Sequence, residues 1–87
     1  ALLRQADKFE HVILANTTHE LIVQLCEKLT SLTTSLNKVF FASDGSCAVE
    51  IAMKMSIHTR KLLNQPQRKH FVALENGYHG ETIGTLS

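Results

Sequence analysis

The 87-residue chain lacks most marks of a membrane, secreted or nucleic-acid-binding protein. No apolar run approaches the roughly 20 residues that a membrane-spanning helix needs. Its two cysteines, Cys26 and Cys47, are too few for a disulfide framework and do not form a CxxC pair. Both lie in apolar, helix-like contexts. They read as reduced packing thiols of a reducing, cytoplasmic compartment; the rival reading for Cys47, close to a helix start, is a reactive thiol. A formal net charge of +1 gives no bulk attraction to nucleic acid or to anionic membranes. The five histidines are scattered without metal-ligand spacing, so no metal site is expected. There is no repeat, no low-complexity segment and no linker.

A chain of this size buries proportionally little surface and is marginal alone. It starts Ala-Leu-Leu-Arg, which is neither a methionine start nor a signal peptide, and it stops at Thr-Ile-Gly-Thr-Leu-Ser, which reads as the start of another element. Residues 1–87 are therefore expected to be one continuous part of a single domain, incomplete at both ends and not folding alone.

Periodicity supplies the elements. Residues 9–15 read as extended. Thr17-Thr18-His19-Glu20 matches a capping box, with Thr17 as N-cap and Glu20 reaching back. Leu21, Leu25, Leu29 and Leu32 then recur at helical spacing, with Ile22 and Cys26 beside them. Residues 38–42 read as a short strand, in which Val39, Phe40, Phe41 and Ala42 form an unbroken apolar run, as in a strand covered on both faces. A helix over 46–63 follows, its first half apolar enough to be deeply buried and its second half emerging into solvent. Pro66 sits in a turn because it cannot continue the helix, and residues 70–74 form a second strand. Helix–strand–helix–strand with a helical crossover predicts an α/β fold: a parallel sheet with flanking helices.

Two loops at the ends of these strands carry the chemistry, as ligand loops of open α/β sheets do. The first is Ser43-Asp44-Gly45-Ser46. Helix-start amides point outward unpaired and the helix dipole favours an anion there. Gly45 lets backbone approach a ligand. Ser43 and Ser46 offer hydroxyls, and Asp44 or Ser43 can cap the helix. A plain strand-to-helix connection is the competing reading. The loop is neither a Walker A sequence nor GxGxxG, so ATP and dinucleotides have little support. The second is Asn76-Gly77-Tyr78-His79-Gly80-Glu81-Thr82. Its glycines permit a tight loop. Tyr78 either presents a face for stacking or packs on its own domain, and His79 is either an acid–base group or a structural hydrogen-bonder. Together the loops suggest one site for a flat ring bearing a phosphate. Glu50, in the apolar half of its helix, needs a partner. A salt bridge to Lys54, one turn on, is the simplest choice and a backbone contact the other.

Val39-Phe-Phe-Ala-Ser-Asp-Gly-Ser-Cys-Ala-Val-Glu-Ile-Ala-Met-Lys-Met55 and Asn76-Gly-Tyr-His-Gly-Glu-Thr82 resemble the class III (fold type I) pyridoxal-phosphate-dependent aminotransferases. Phe9-Glu-His-Val12 and Thr18-His19 fit as well, so the likeness covers nearly the whole chain. The resemblance implies part of the large cofactor-binding domain, with pyridoxal 5'-phosphate as cofactor. Gly45 and Ser46 would hold its phosphate. Tyr78 would stack on the ring and border the substrate pocket, and His79 and Gly80 would shape that loop. It also implies a homodimer acting on small molecules. Ala52-Met53-Lys54-Met55 and the Asn76 loop narrow it to the branch serving biotin biosynthesis, which moves an amino group from S-adenosylmethionine to 8-amino-7-oxononanoate. The competing readings are a class III aminotransferase of ω-amino acids or diamines, and a non-enzymatic α/β module binding a phosphorylated ligand. The chain departs from the family in Asp44, where a serine is usual, and in Glu81, where aspartate is usual. The family's catalytic lysine and the aspartate on the ring nitrogen would lie downstream, so no catalytic residue is assigned here.

Overall fold

The computed structural model describes residues 1–86. They form three helices, α1 (Leu2–Ala6), α2 (Glu20–Ser31) and α3 (Gly45–Leu62). The chain divides into two compact units, Ala1–Phe40 and the stretch from Phe41 onward.

The expected parallel sheet is absent: among the described residues there is no strand and no bridge. Residues 38–42 and 70–74, the predicted strands, are irregular. A strand is defined by the ladder it makes with a neighbour, and an apolar run without a ladder partner has no means of satisfying its backbone as one. The expected burial is missing too, since no apolar side chain among the described residues is buried. Val72, placed in the interior of the second predicted strand, is 100% exposed.

In the first unit, α1 occupies a stretch for which no helix was predicted. α2 forms where the leucine spacing predicted it, but its start differs. The N-cap is His19, which makes no side-chain cap hydrogen bond. With His19 at the cap, Glu20 is the first helical residue rather than the third, so its carboxylate cannot reach back as a capping box requires. It accepts instead from Gln24 Nε2 at 3.0 Å and faces Lys8 Nζ at 3.7 Å. Both members of that ion pair are exposed, so it adds little stability. Thr17 Oγ1 donates to the Ile13 carbonyl rather than accepting from the helix. The Phe9 and His19 rings meet edge to face, with centroids 4.9 Å apart. The half-buried stripe of α2 is Ile22, Cys26 and Thr30, while the predicted leucine stripe is exposed.

In the second unit, α3 matches the prediction within one residue at each end. Asp44 is its N-cap in extended backbone, and the carboxylate accepts from the Cys47 amide at 2.8 Å. Ser43 Oγ donates to the same carboxylate at 2.9 Å. The far end closes one step before Pro66. Asn64 takes the left-handed conformation (φ 55°), and the Asn64 and Gln65 amides donate back to the carbonyls of Lys61 and Arg60. This double bond pattern is the Schellman ending, with asparagine where glycine is usual. The first half of α3, predicted to be deeply buried, holds no buried residue: Ile51 and Met53 are half-buried, and Ala48, Val49 and Ala52 are exposed.

The Cys47 amide, then the hydroxyl of Ser43, hold the Asp44 carboxyl below its ordinary value of 3.8. A depressed carboxyl pKa means that its contribution is present above 3.8 and is lost as pH falls through the lower folded value. Helicity of a peptide spanning residues 41–66, followed by circular dichroism, should therefore fall in that acid range. Asp44→Asn, an equally good cap, should remove the acid step while keeping the helix, and Asp44→Ala should weaken the helix at all pH values.

Candidate functional site

Within the second unit the start of α3 and the loop after Asn76 come together. Asn76 takes a positive φ of 59°, and the Gly77 amide donates to the Leu74 carbonyl at 2.9 Å, closing a turn. The chain then passes over the first turn of α3. Ser46 Oγ accepts from the amides of Glu81 at 2.9 Å and Thr82 at 3.2 Å. It also lies 3.2 Å from Thr85 Oγ1. One turn along α3, Glu50 Oε2 accepts from Thr82 Oγ1 at 3.0 Å and from the Gly84 amide at 2.7 Å. Thr85, only 2% exposed, is the one buried polar side chain among the described residues.

Glycine is required at the closest approach. Gly80 is buried with φ 128°, and a Cβ there would fall 2.3 Å from Ser46 Oγ and 2.8 Å from Thr85 Oγ1. At Gly84 a Cβ would lie 2.6 Å from Glu50 Oε2. Gly45 is the opposite case: nothing lies within 4 Å of the position its Cβ would take.

Beside this junction is an open cleft of about 600 Å³. Gly45, Ser46 and Val49 of α3 form one wall, and Tyr78, His79 and Gly80 form the other. Tyr78 is 80% exposed, so its ring has a free face. His79 is half-buried, and its Nε2 has no hydrogen-bond partner among the described residues. Asp44 also borders the cleft, but its carboxylate is turned to the Cys47 amide and the Ser43 hydroxyl. The Ser43 hydroxyl is thereby spent on the Asp44 carboxylate.

The four predicted site residues, Gly45, Ser46, Tyr78 and His79, thus line one cleft. Of the two partners expected for Glu50, the structure has the backbone contact and not the Lys54 pair: it takes the Gly84 amide, with the Thr82 hydroxyl beside it. Sequence reasoning missed Gly84 and Thr85. They lie in the run Thr82-Ile83-Gly84-Thr85, which read as the start of another element and forms a turn over residues 83–85.

The whole chain, residues 1–87, matches the family model for class III aminotransferases. The chain belongs to that family. It is similar to the adenosylmethionine-8-amino-7-oxononanoate aminotransferase of Helicobacter pylori, 49% identical over 87 residues. It is likewise similar to the enzymes of that name from Synechococcus elongatus, at 41% over 91 residues, and Saccharomyces cerevisiae, at 40% over 90. These alignments take in 99%, 100% and 100% of the chain, but only 20%, 20% and 19% of the relatives, so the chain spans about a fifth of their length. No solved structure matches the chain.

Two glycine substitutions should separate folding from ligand access. Gly80→Ala forces a Cβ into Ser46 at a positive φ and should destabilise a protein carrying this segment by about 1–3 kcal/mol. Gly45→Ala meets nothing and relieves glycine's helix penalty of up to about 1 kcal/mol, so its thermal midpoint should be unchanged or raised. Thermal unfolding of both variants checks the contrast.

Proposed function

We propose that this segment forms part of the cofactor-binding domain of an enzyme that transfers an amino group from S-adenosylmethionine to 8-amino-7-oxononanoate, in biotin biosynthesis, with pyridoxal 5'-phosphate as cofactor. The observation that carries the reading is the open space at Gly45, beside a helix start and across a cleft from an exposed Tyr78 ring.

The residues fit a flat ring bearing a phosphate. The Gly45 amide has no acceptor among the described residues, and it sits where the helix dipole favours an anion. A Cβ at Gly45 would occupy the space in which phosphate oxygens approach that amide. The two amides of Glu81 and Thr82 fill the acceptor positions of the Ser46 hydroxyl. Its proton is directed to Thr82 Oγ1 at 3.4 Å or Thr85 Oγ1 at 3.2 Å, and a phosphate oxygen competes with both for it. Ser46 thereby joins the grip on the cofactor to the fold of the opposite wall. Tyr78 offers its face to the pyridine ring and its hydroxyl to the substrate side. His79 shapes the loop, its Nε2 enclosed beside Gly77 without a partner among the described residues. When bound, pyridoxal phosphate supplies the electron sink for amino transfer, while the protein binds and orients.

No residue of this chain is assigned to the anchoring lysine or to the acid on the ring nitrogen. The biotin-pathway relatives support the choice of donor and acceptor, and the family supports a homodimer. Free Cys26 and Cys47 are consistent with a cytoplasmic enzyme. No described helix is long and apolar enough to cross a membrane.

The test is the visible absorption spectrum of the full-length protein with pyridoxal phosphate, before and after S-adenosylmethionine. A protein-bound band that the donor bleaches is expected. A band that bleaches only with other amines would exclude S-adenosylmethionine as donor, and no bound band would exclude the cofactor. Gly45→Val combined with Ser46→Ala should lower cofactor retention by about tenfold or more, the scale of one lost charge-assisted hydrogen bond. Tyr78→Phe should keep the cofactor, because stacking survives, and should alter turnover or donor preference.

A further inference from the structure

We propose that Glu50 is a positioning residue for the wall that carries Tyr78 and His79. Its carboxylate, acting through Thr82 and Gly84, holds that wall in register with the start of α3. The proposal rests on the reading of the cleft as the cofactor site.

Ser46 and Glu50 are one turn apart on α3 and therefore share a face. Along that face they take up the polar groups of the returning chain in order: Ser46 the amides of Glu81 and Thr82, Glu50 the Thr82 hydroxyl and the Gly84 amide. Among the described residues no lysine or arginine lies at ion-pair distance from Glu50. Its charge is answered by one N–H and one O–H, both on Oε2. Such charge-assisted bonds are short and strong compared with neutral ones, and the 2.7 Å contact to Gly84 is of that kind. A Cβ at Gly84 would lie 2.6 Å from the same oxygen, so the carboxylate is seated directly against backbone.

The hydroxyls pass this constraint back to the site. Thr82 gives its proton to Glu50 and lies 2.9 Å from Thr85 Oγ1, which lies 3.2 Å from Ser46 Oγ. Hydrogen bonds in such a chain polarise one another. Glu50 thus fixes the orientation of the Thr82 hydroxyl, and with it the side of Ser46 that faces the returning chain. Tyr78 stands only four residues before Thr82, with Gly80 between them at the tightest contact. Releasing Glu50 frees the anchor that sets where the Tyr78 ring stands.

The single accepting oxygen makes the role testable with a conservative change. In Glu50→Gln the amide oxygen can take the place of Oε2 and accept both bonds; in Glu50→Ala neither survives. Hydrogen–deuterium exchange of peptides covering residues 80–86, in the full-length protein without cofactor, should speed up by about tenfold or more in Glu50→Ala, the scale of lost bonds to a charged group, and stay close to wild type in Glu50→Gln. With cofactor and donor present, Glu50→Ala should lower kcat more than it weakens cofactor affinity, and Glu50→Gln should restore most of it. Should Glu50→Ala fail to fold, Thr82→Val removes the hydroxyl at nearly constant shape and should speed the same exchange. Unchanged exchange in Glu50→Ala or Thr82→Val would overturn the proposal, as would a Glu50→Gln variant as impaired as Glu50→Ala. A wild-type protein that binds no pyridoxal phosphate would sink the cofactor reading and the role toward it, while the exchange experiment would still decide whether Glu50 anchors the loop.

Discussion

The Ser46 hydroxyl is the contact on which the site depends. It accepts two amides from a stretch of chain 35 and 36 residues away, and it does so from the first turn of α3. One side chain thereby couples the start of α3 to the loop that presents Tyr78. The coupling requires Gly80, because any larger residue would collide with the Ser46 side chain. Glu50 repeats the pattern one turn on, with its carboxylate seated against Gly84. Two polar residues on one helix face, and two glycines opposite them, define the junction.

Among the described residues no apolar core accompanies this polar junction. Phe40, Leu74 and Ile83 are all exposed, and the helices bury none of their own residues. Local hydrogen bonding accounts for what order there is: Asp44 starts α3, Asn64 ends it, and the turn at 74–77 redirects the chain. Each device acts over three to five residues and needs no neighbour from elsewhere. Apolar burial and strand pairing do need neighbours, and the chain spans about a fifth of the length of its relatives.

That division explains which expectations held. The extent of α3 was legible because helix periodicity and an N-cap are encoded within a few residues. The existence of α2 was legible for the same reason, but its first residue was not. Thr17 and His19 both precede a plausible start, and the choice fell to His19 with Thr17 turned back to Ile13. The strands over 38–42 and 70–74 were read from apolar runs. Such a run records a tendency to be covered on both faces, and no partner strand covers these residues here. The pairing of Glu50 with Lys54 followed from helix spacing alone, and spacing cannot see an amide arriving from residue 84.

The sequence by itself determined the family and the helix that begins at the Asp44-Gly45-Ser46 turn, because these are written in short contiguous motifs. Only the tertiary structure decided that the two motifs share one cleft, that Asp44 turns away from it to cap α3, and that Glu50 and Ser46 serve the returning loop. Those outcomes depend on which backbone amides arrive beside a side chain from more than thirty residues away, and a local pattern carries no record of that approach.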